Sequence, residues 1–136
     1  IGFAMGSREL IADLNRVKYS FNPYNVNRLS ILAGAAAMED EAYFRACTAA
    51  VRAARGRTVR ELESLGFDVL PSAANFVFAR SGRIPGGELY RRLREEGILV
   101  RWFDQPRISD YIRITIGSDS QMERLTGALR RLLEQL

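Results

Sequence analysis

The chain has 136 residues, room for one domain with a modest core; its 47% hydrophobic and 26% charged content is that of a globular protein, with no apolar run long enough to span a membrane. A single cysteine, Cys47, excludes an internal disulfide, and the lack of any His removes Ser/His/Asp chemistry and argues against a Cys/His metal site, so no metal is expected. The net charge of +4 invites a nucleic-acid reading, but all but Lys18 of the 20 basic residues are Arg, spread along the chain among 16 acidic residues rather than gathered in a phosphate-binding stripe.

Residues 2–5 read as a strand, followed by a helix from Ser7, a plausible N-cap with Glu9 in the first turn. Leu10, Ile11, Leu14 and Val17 then fall on one face, and Lys18 sits near the helix end, a surface position. Pro23 and its flanking Asn residues make 20–25 a loop. A second helix is expected over about 26–38, with a small-residue face of Ala33 and Ala36. A longer one follows over about 40–65, with Phe44, Cys47, Val51, Ala54, Leu62 and Leu65 on its inner side and Gly66 as its stop; Cys47 is expected buried and inert. The arginines at 52, 55, 57 and 60, and those at 91, 92 and 94, lie on expected helices beside Glu and read as solvated faces.

From residue 67 the order is strand 67–70, strand 75–79, a loop over 80–87, helix 87–96 closed by Gly97, strand 98–103, strand 111–117, and a last helix from about Ser120 with Glu123 completing a capping box. A β-β-α-β-β-α order predicts an α+β unit, a small mostly antiparallel sheet with helices on one face. The expected division is 1–38, the end of another domain with connecting helices, and 39–136, a small domain whose 39–66 helix links the two. The first residue is Ile and the first strand has no preceding turn, so the chain reads as beginning inside a larger protein; residues 1–6 lack the basic region of a secretory signal, and a cytoplasmic location is expected.

Two arginines on strands stand out. Arg101 follows Ile98-Leu99-Val100, and Arg113 interrupts Tyr111-Ile112-Arg113-Ile114-Thr115-Ile116. A guanidinium keeps its proton, so a buried one needs an anion, and two near each other repel unless a dianion or two acidic groups lie between them. Their planar forks match carboxylate and phosphate with paired hydrogen bonds. The plainer readings are a solvent-facing Arg113 on an amphipathic strand, sharing a face with Tyr111 and Thr115, and a salt bridge from Arg101 to Asp104 or Asp110.

These segments, with Pro23-Tyr24-Asn25-Val26-Asn27 and Ala74-Asn75-Phe76, resemble the C-terminal part of histidinol-phosphate aminotransferases, pyridoxal-phosphate enzymes of fold type I. The resemblance covers nearly the whole chain in one order; its motifs are specific together and weak singly. It implies that Arg113, in an Arg-Ile-Thr-Ile-Gly motif, binds the substrate anion, a phosphate in this family and an α-carboxylate in most relatives. It implies that Arg101 helps to hold the phosphate and that Asn75 lies near the substrate, although Asn75 could equally cap a turn after Ser72. Tyr24 and Asn25 would line the site or simply pack their loop. The lysine that carries the cofactor, and the Asp and Tyr around its ring, lie upstream of Ile1 in the family. The chain would therefore hold the substrate-anion half of a site and neither catalytic nor cofactor-binding residues. The parent would be a homodimer moving an amino group between histidinol phosphate and 2-oxoglutarate in histidine biosynthesis, and the piece alone would be inactive.

Two rivals remain at this level. Another fold type I aminotransferase or a phospho-amino-acid decarboxylase would share these motifs. A basic α+β module could instead bind RNA on its sheet, using Phe76 and Phe78 at alternate positions, with Val77 facing the core.

Overall fold

The computed structural model describes residues 1–135, which group into two compact units, one over residues 1–46 and one from Cys47 onward. Among the described residues, five helices and four strands make an α+β fold.

In the first unit, residues 1–7 form no strand, against the expectation for 2–5. A strand exists only through a hydrogen-bonded partner, and none pairs with this segment among the described residues. Helix α1 spans Arg8–Phe21, with the Ser7 side chain accepting from the Leu10 amide at 3.3 Å. Helix α2 spans Arg28–Glu39 and is capped by the Asn27 side chain, which accepts from the Ser30 amide at 2.8 Å. The Ser7 cap is where the sequence puts it, whereas α2 starts two residues later than expected, and neither helix buries a residue: Leu10, Leu14 and Val17 share a stripe and stay exposed. Lys18 is half-buried, its Nζ 5.2 Å from the ring centre of Tyr19.

Helix α3 runs Glu41–Ser64. Ala54, Thr58 and Leu62 are buried, whereas Phe44 and Cys47 are exposed. The expected burial of Cys47 therefore fails: the buried residues of α3 lie in its C-terminal half, where Val51 and Val59 also pack against the core. Gly66 ends the helix as expected, with φ of 82° and its amide bonded to the Glu63 carbonyl at 2.9 Å, a conformation glycine adopts without a Cβ clash.

The second unit is built on a four-stranded antiparallel sheet. Its strands are β1 (Phe67–Val69), β2 (Phe76–Ser81), β3 (Arg101–Trp102) and β4 (Tyr111–Thr115), in the order β1-β2-β4-β3. Val77 and Ala79 of β2 face the same way as their partners Ile114 and Ile112 of β4, and all are buried. Helix α4 (Gly86–Glu95) contributes Leu89 and Leu93, and α5 (Asp119–Glu134) contributes Leu125, Leu129, Leu132 and Leu133 to the same core. Burying a leucine this fully contributes about 1.5–3 kcal/mol.

Two of the boundaries that depart from the sequence reading do so for a capping reason. Strand β3 has two residues instead of six. The Gly97 amide bonds to the Arg94 carbonyl at 3.0 Å and the Ile98 amide to the Leu93 carbonyl at 2.8 Å. This cap on α4 takes the amides that an earlier strand start would need. The capping box of α5 is formed by Ser118 and Gln121, not by Ser120 and Glu123. The Gln121 side chain reaches the Ser118 amide at 2.9 Å, and so starts the helix at Asp119.

Candidate anion-binding site

One face of the sheet is the core, and the other carries polar and aromatic side chains. Alternation places Asp68, Arg80 and Tyr111 in one cross-strand row, Phe78, Arg113 and Arg101 in the next, and Phe76 with Thr115 in a third. Arg101 and Arg113 are direct partners across β3 and β4. Trp102 points to the core side, where its Nε1 donates to the Ser109 carbonyl at 2.7 Å and ties down the loop that joins the two strands.

The three arginines of this face differ in their company. The Arg80 Nε donates to Asp68 Oδ2 at 2.9 Å, and its guanidinium lies 5.3 Å from the ring centre of Tyr111, which stacks on Phe78 at 4.8 Å. Arg80 is thus neutralised. Arg101 and Arg113 meet no carboxylate among the described residues, so the expected alternative of a bridge from Arg101 to Asp104 or Asp110 is not formed. Their guanidiniums rest on aromatic rings instead. Arg101 lies 5.2 Å and Arg113 5.8 Å from the ring centre of Phe103, and Arg113 also lies 5.4 Å from that of Phe76. Arg113 is half-buried and Arg101 exposed. Two cations face each other with their donors free, an arrangement that suits a doubly charged anion.

Asn75 is exposed and directly precedes β2; its carbonyl accepts from the Ile116 amide at 2.8 Å, which brings it to the end of β4. The turn before it is held by the Ser72 hydroxyl, which accepts from the Ala74 amide at 3.1 Å, and by Arg55 Nη1, which donates to the Ala74 carbonyl at 2.5 Å. Arg55 is therefore a docking residue rather than part of a solvated face. Tyr24 and Asn25 stand in the α1–α2 connection of the first unit, where Tyr24 is 92% exposed. The end of β4 borders a groove of about 400 Å³ lined by Leu99, Thr115, Gly117, Gln121 and Met122 among others, and neither Arg101 nor Arg113 lines it.

Sequence reasoning missed Phe103 as a neighbour of both arginines. The available signal was parity: residue 103 alternates onto the face of Arg101.

The described residues fit an anion and do not fit an aldehyde cofactor. Their one amine side chain, Lys18, lies against its neighbour Tyr19 on α1. No group of His, Cys, Asp and Glu suited to a metal ion occurs among the described residues, and no helix there is long and apolar enough to cross a membrane.

The fold of this chain is shared with known proteins. The model of the aminotransferase class I and II family matches residues 1–129, and the chain belongs to that family. Histidinol-phosphate aminotransferase 1 of Bordetella parapertussis is 54% identical over 132 residues, which are 97% of this chain and 37% of that protein. The crystal structure of the histidinol-phosphate aminotransferase from Clostridium acetobutylicum superposes with a TM-score of 0.81 at 26% identity, covering 90% of this chain and 38% of that one. The Sinorhizobium meliloti enzyme of the same name, solved in complex with pyridoxal-5'-phosphate, gives a TM-score of 0.72 at 27% identity over 84% of this chain and 32% of that one. The chain thus spans a little over a third of the length of the relatives it matches.

Proposed function

We propose that this chain is the C-terminal region of a histidinol-phosphate aminotransferase and that its share of the work is to bind the anionic end of the substrate. Residues 1–38 would close the large domain, 39–66 link it to the rest, and 39–136 form the small domain. The observation that carries the reading is the placement of Arg101 opposite Arg113 with no carboxylate between them. The pair takes the phosphate dianion of histidinol phosphate in one half-reaction and a carboxylate of 2-oxoglutarate in the other. Both are oxyanions that a guanidinium binds through two parallel hydrogen bonds. Asn75, directly before β2 and with its carbonyl bonded to the Ile116 amide, would donate from its side chain to the same substrate.

Pyridoxal phosphate, when bound, supplies the chemistry that carries the amino group between the two substrates. Its lysine belongs to the part of the relatives' length that this chain does not span. The chain's own residues bind and orient the substrate, which fixes the reacting amine at a set distance from the phosphate. The parent acts as a cytoplasmic homodimer.

The RNA-binding reading is less well supported, because its rings are already in use: Phe78 stacks on Tyr111, and Phe76 and Phe103 lie under arginines. The test is amino transfer from histidinol phosphate to 2-oxoglutarate by the full-length protein supplied with pyridoxal phosphate. Turnover with this pair supports the assignment. Turnover only with another amino donor moves it to a related fold type I aminotransferase, and release of carbon dioxide from a phospho-amino acid moves it to a decarboxylase.

A further inference from the structure

We propose that Phe103 is the positioning residue of the arginine pair: its ring holds the Arg101 and Arg113 guanidiniums side by side, with their N–H donors free, before any anion arrives. This rests on the reading of the pair as an anion site and adds to it a residue that touches no substrate.

The need for such a residue follows from register. Like charges at directly opposed positions of an antiparallel pair repel, and long side chains relieve this by swinging apart. Arg101 and Arg113 are such a pair and have no carboxylate among the described residues to draw them together. Arg80, on the same face, has Asp68 for this purpose. A carboxylate between Arg101 and Arg113 would occupy the donors that a substrate anion must use. An aromatic face attracts the cation through its quadrupole and leaves the in-plane N–H groups available. Phe103 is the ring that lies within 6 Å of both guanidiniums, at 5.2 and 5.8 Å, whereas Phe76 reaches only Arg113, at 5.4 Å. Phe103 is half-buried, one residue beyond β3, at the start of the loop that Trp102 ties to Ser109. Its ring is therefore fixed at the rim of the sheet. Preorganising the two forks removes an ordering cost that would otherwise weaken anion binding.

The experiment uses the full-length protein and reads the inhibition constant of inorganic phosphate against amino transfer, with thermal unfolding as the control for folding. Phe103→Leu should weaken phosphate about 3- to 30-fold, the range expected for losing a shared cation–π contact. Phe103→Trp should bind phosphate at least as well as wild type. If Phe103→Leu does not fold, di- and trifluorophenylalanine at position 103 keep the shape and reduce the negative charge of the ring face, and the inhibition constant should rise stepwise with fluorination. Equal phosphate binding across the leucine variant or the fluorinated series, while Arg113→Ala still weakens it, overturns the role of Phe103 and leaves the anion site standing. Unchanged phosphate binding in Arg113→Ala itself overturns the anion site, and the role of Phe103 with it.

Discussion

Arg101 and Arg113 are register partners across β3 and β4, two like charges placed opposite each other on the face of the sheet away from its helices. Such a pair costs stability unless something offsets it. Here two aromatic rings do so in part, and an incoming anion would complete the balance. The site is thus better satisfied with its ligand than without it, which is the condition for binding.

Replacing Arg113 should therefore be costly to activity and mild in its effect on folding. In the full-length protein, Arg113→Ala is expected to lose about 2–5 kcal/mol of transition-state binding, because it leaves the substrate anion short of a charged partner. That corresponds to a fall in kcat/KM of about 30-fold or more, measured with histidinol phosphate as amino donor. Arg113→Lys should recover only part of it, since a point charge cannot make the paired contact. Wild-type efficiency in Arg113→Ala would refute the assignment of this residue.

The 136-residue chain by itself should show no amino transfer. It has one lysine, Lys18, whose ammonium lies against Tyr19 on an exposed helix. Adding pyridoxal phosphate to the purified chain should leave the cofactor's absorption spectrum as it is in buffer. A shifted band abolished by Lys18→Ala would show that this lysine does take up the cofactor.

Stability of the second unit should depend on the leucines between α4 and the sheet. Leu93 is fully buried with Leu89, Ile112 and Ile114 in one cluster. Leu93→Ala removes its transfer energy and leaves a cavity, so the expected loss is about 2–5 kcal/mol in urea unfolding of the chain. Leu99→Ala, at a residue that is 80% exposed, should change it by less than about 0.5 kcal/mol. Similar losses from the two substitutions would mean that the core is not where the structure puts it.

Several features could be read from local sequence because their causes are local. Ser7 caps α1, Gly66 and Gly97 stop α3 and α4 with positive φ, and the alternation of Val77 with Ala79 and of Ile112 with Ile114 gives the buried face of the sheet. The two arginines were legible as well, since a charge within a β-branched run breaks a pattern that burial would otherwise impose. Local reading erred where a neighbour decides. Residues 2–5 look like a strand but have no pairing partner among the described residues, and Cys47 continues an apolar period yet is exposed.

The sequence by itself determined the α+β order from residue 67, the Ser7 cap and the glycine stops of α3 and α4, and the residue types able to hold an anion, because propensity, capping and periodicity act over a few residues. Only the tertiary structure decided that Arg101 stands opposite Arg113, that Arg80 is taken by Asp68, and that Phe103 lies beneath both free guanidiniums. Those relations depend on strand register between segments separated by loops. A shift of one residue would have turned the same arginines into the core.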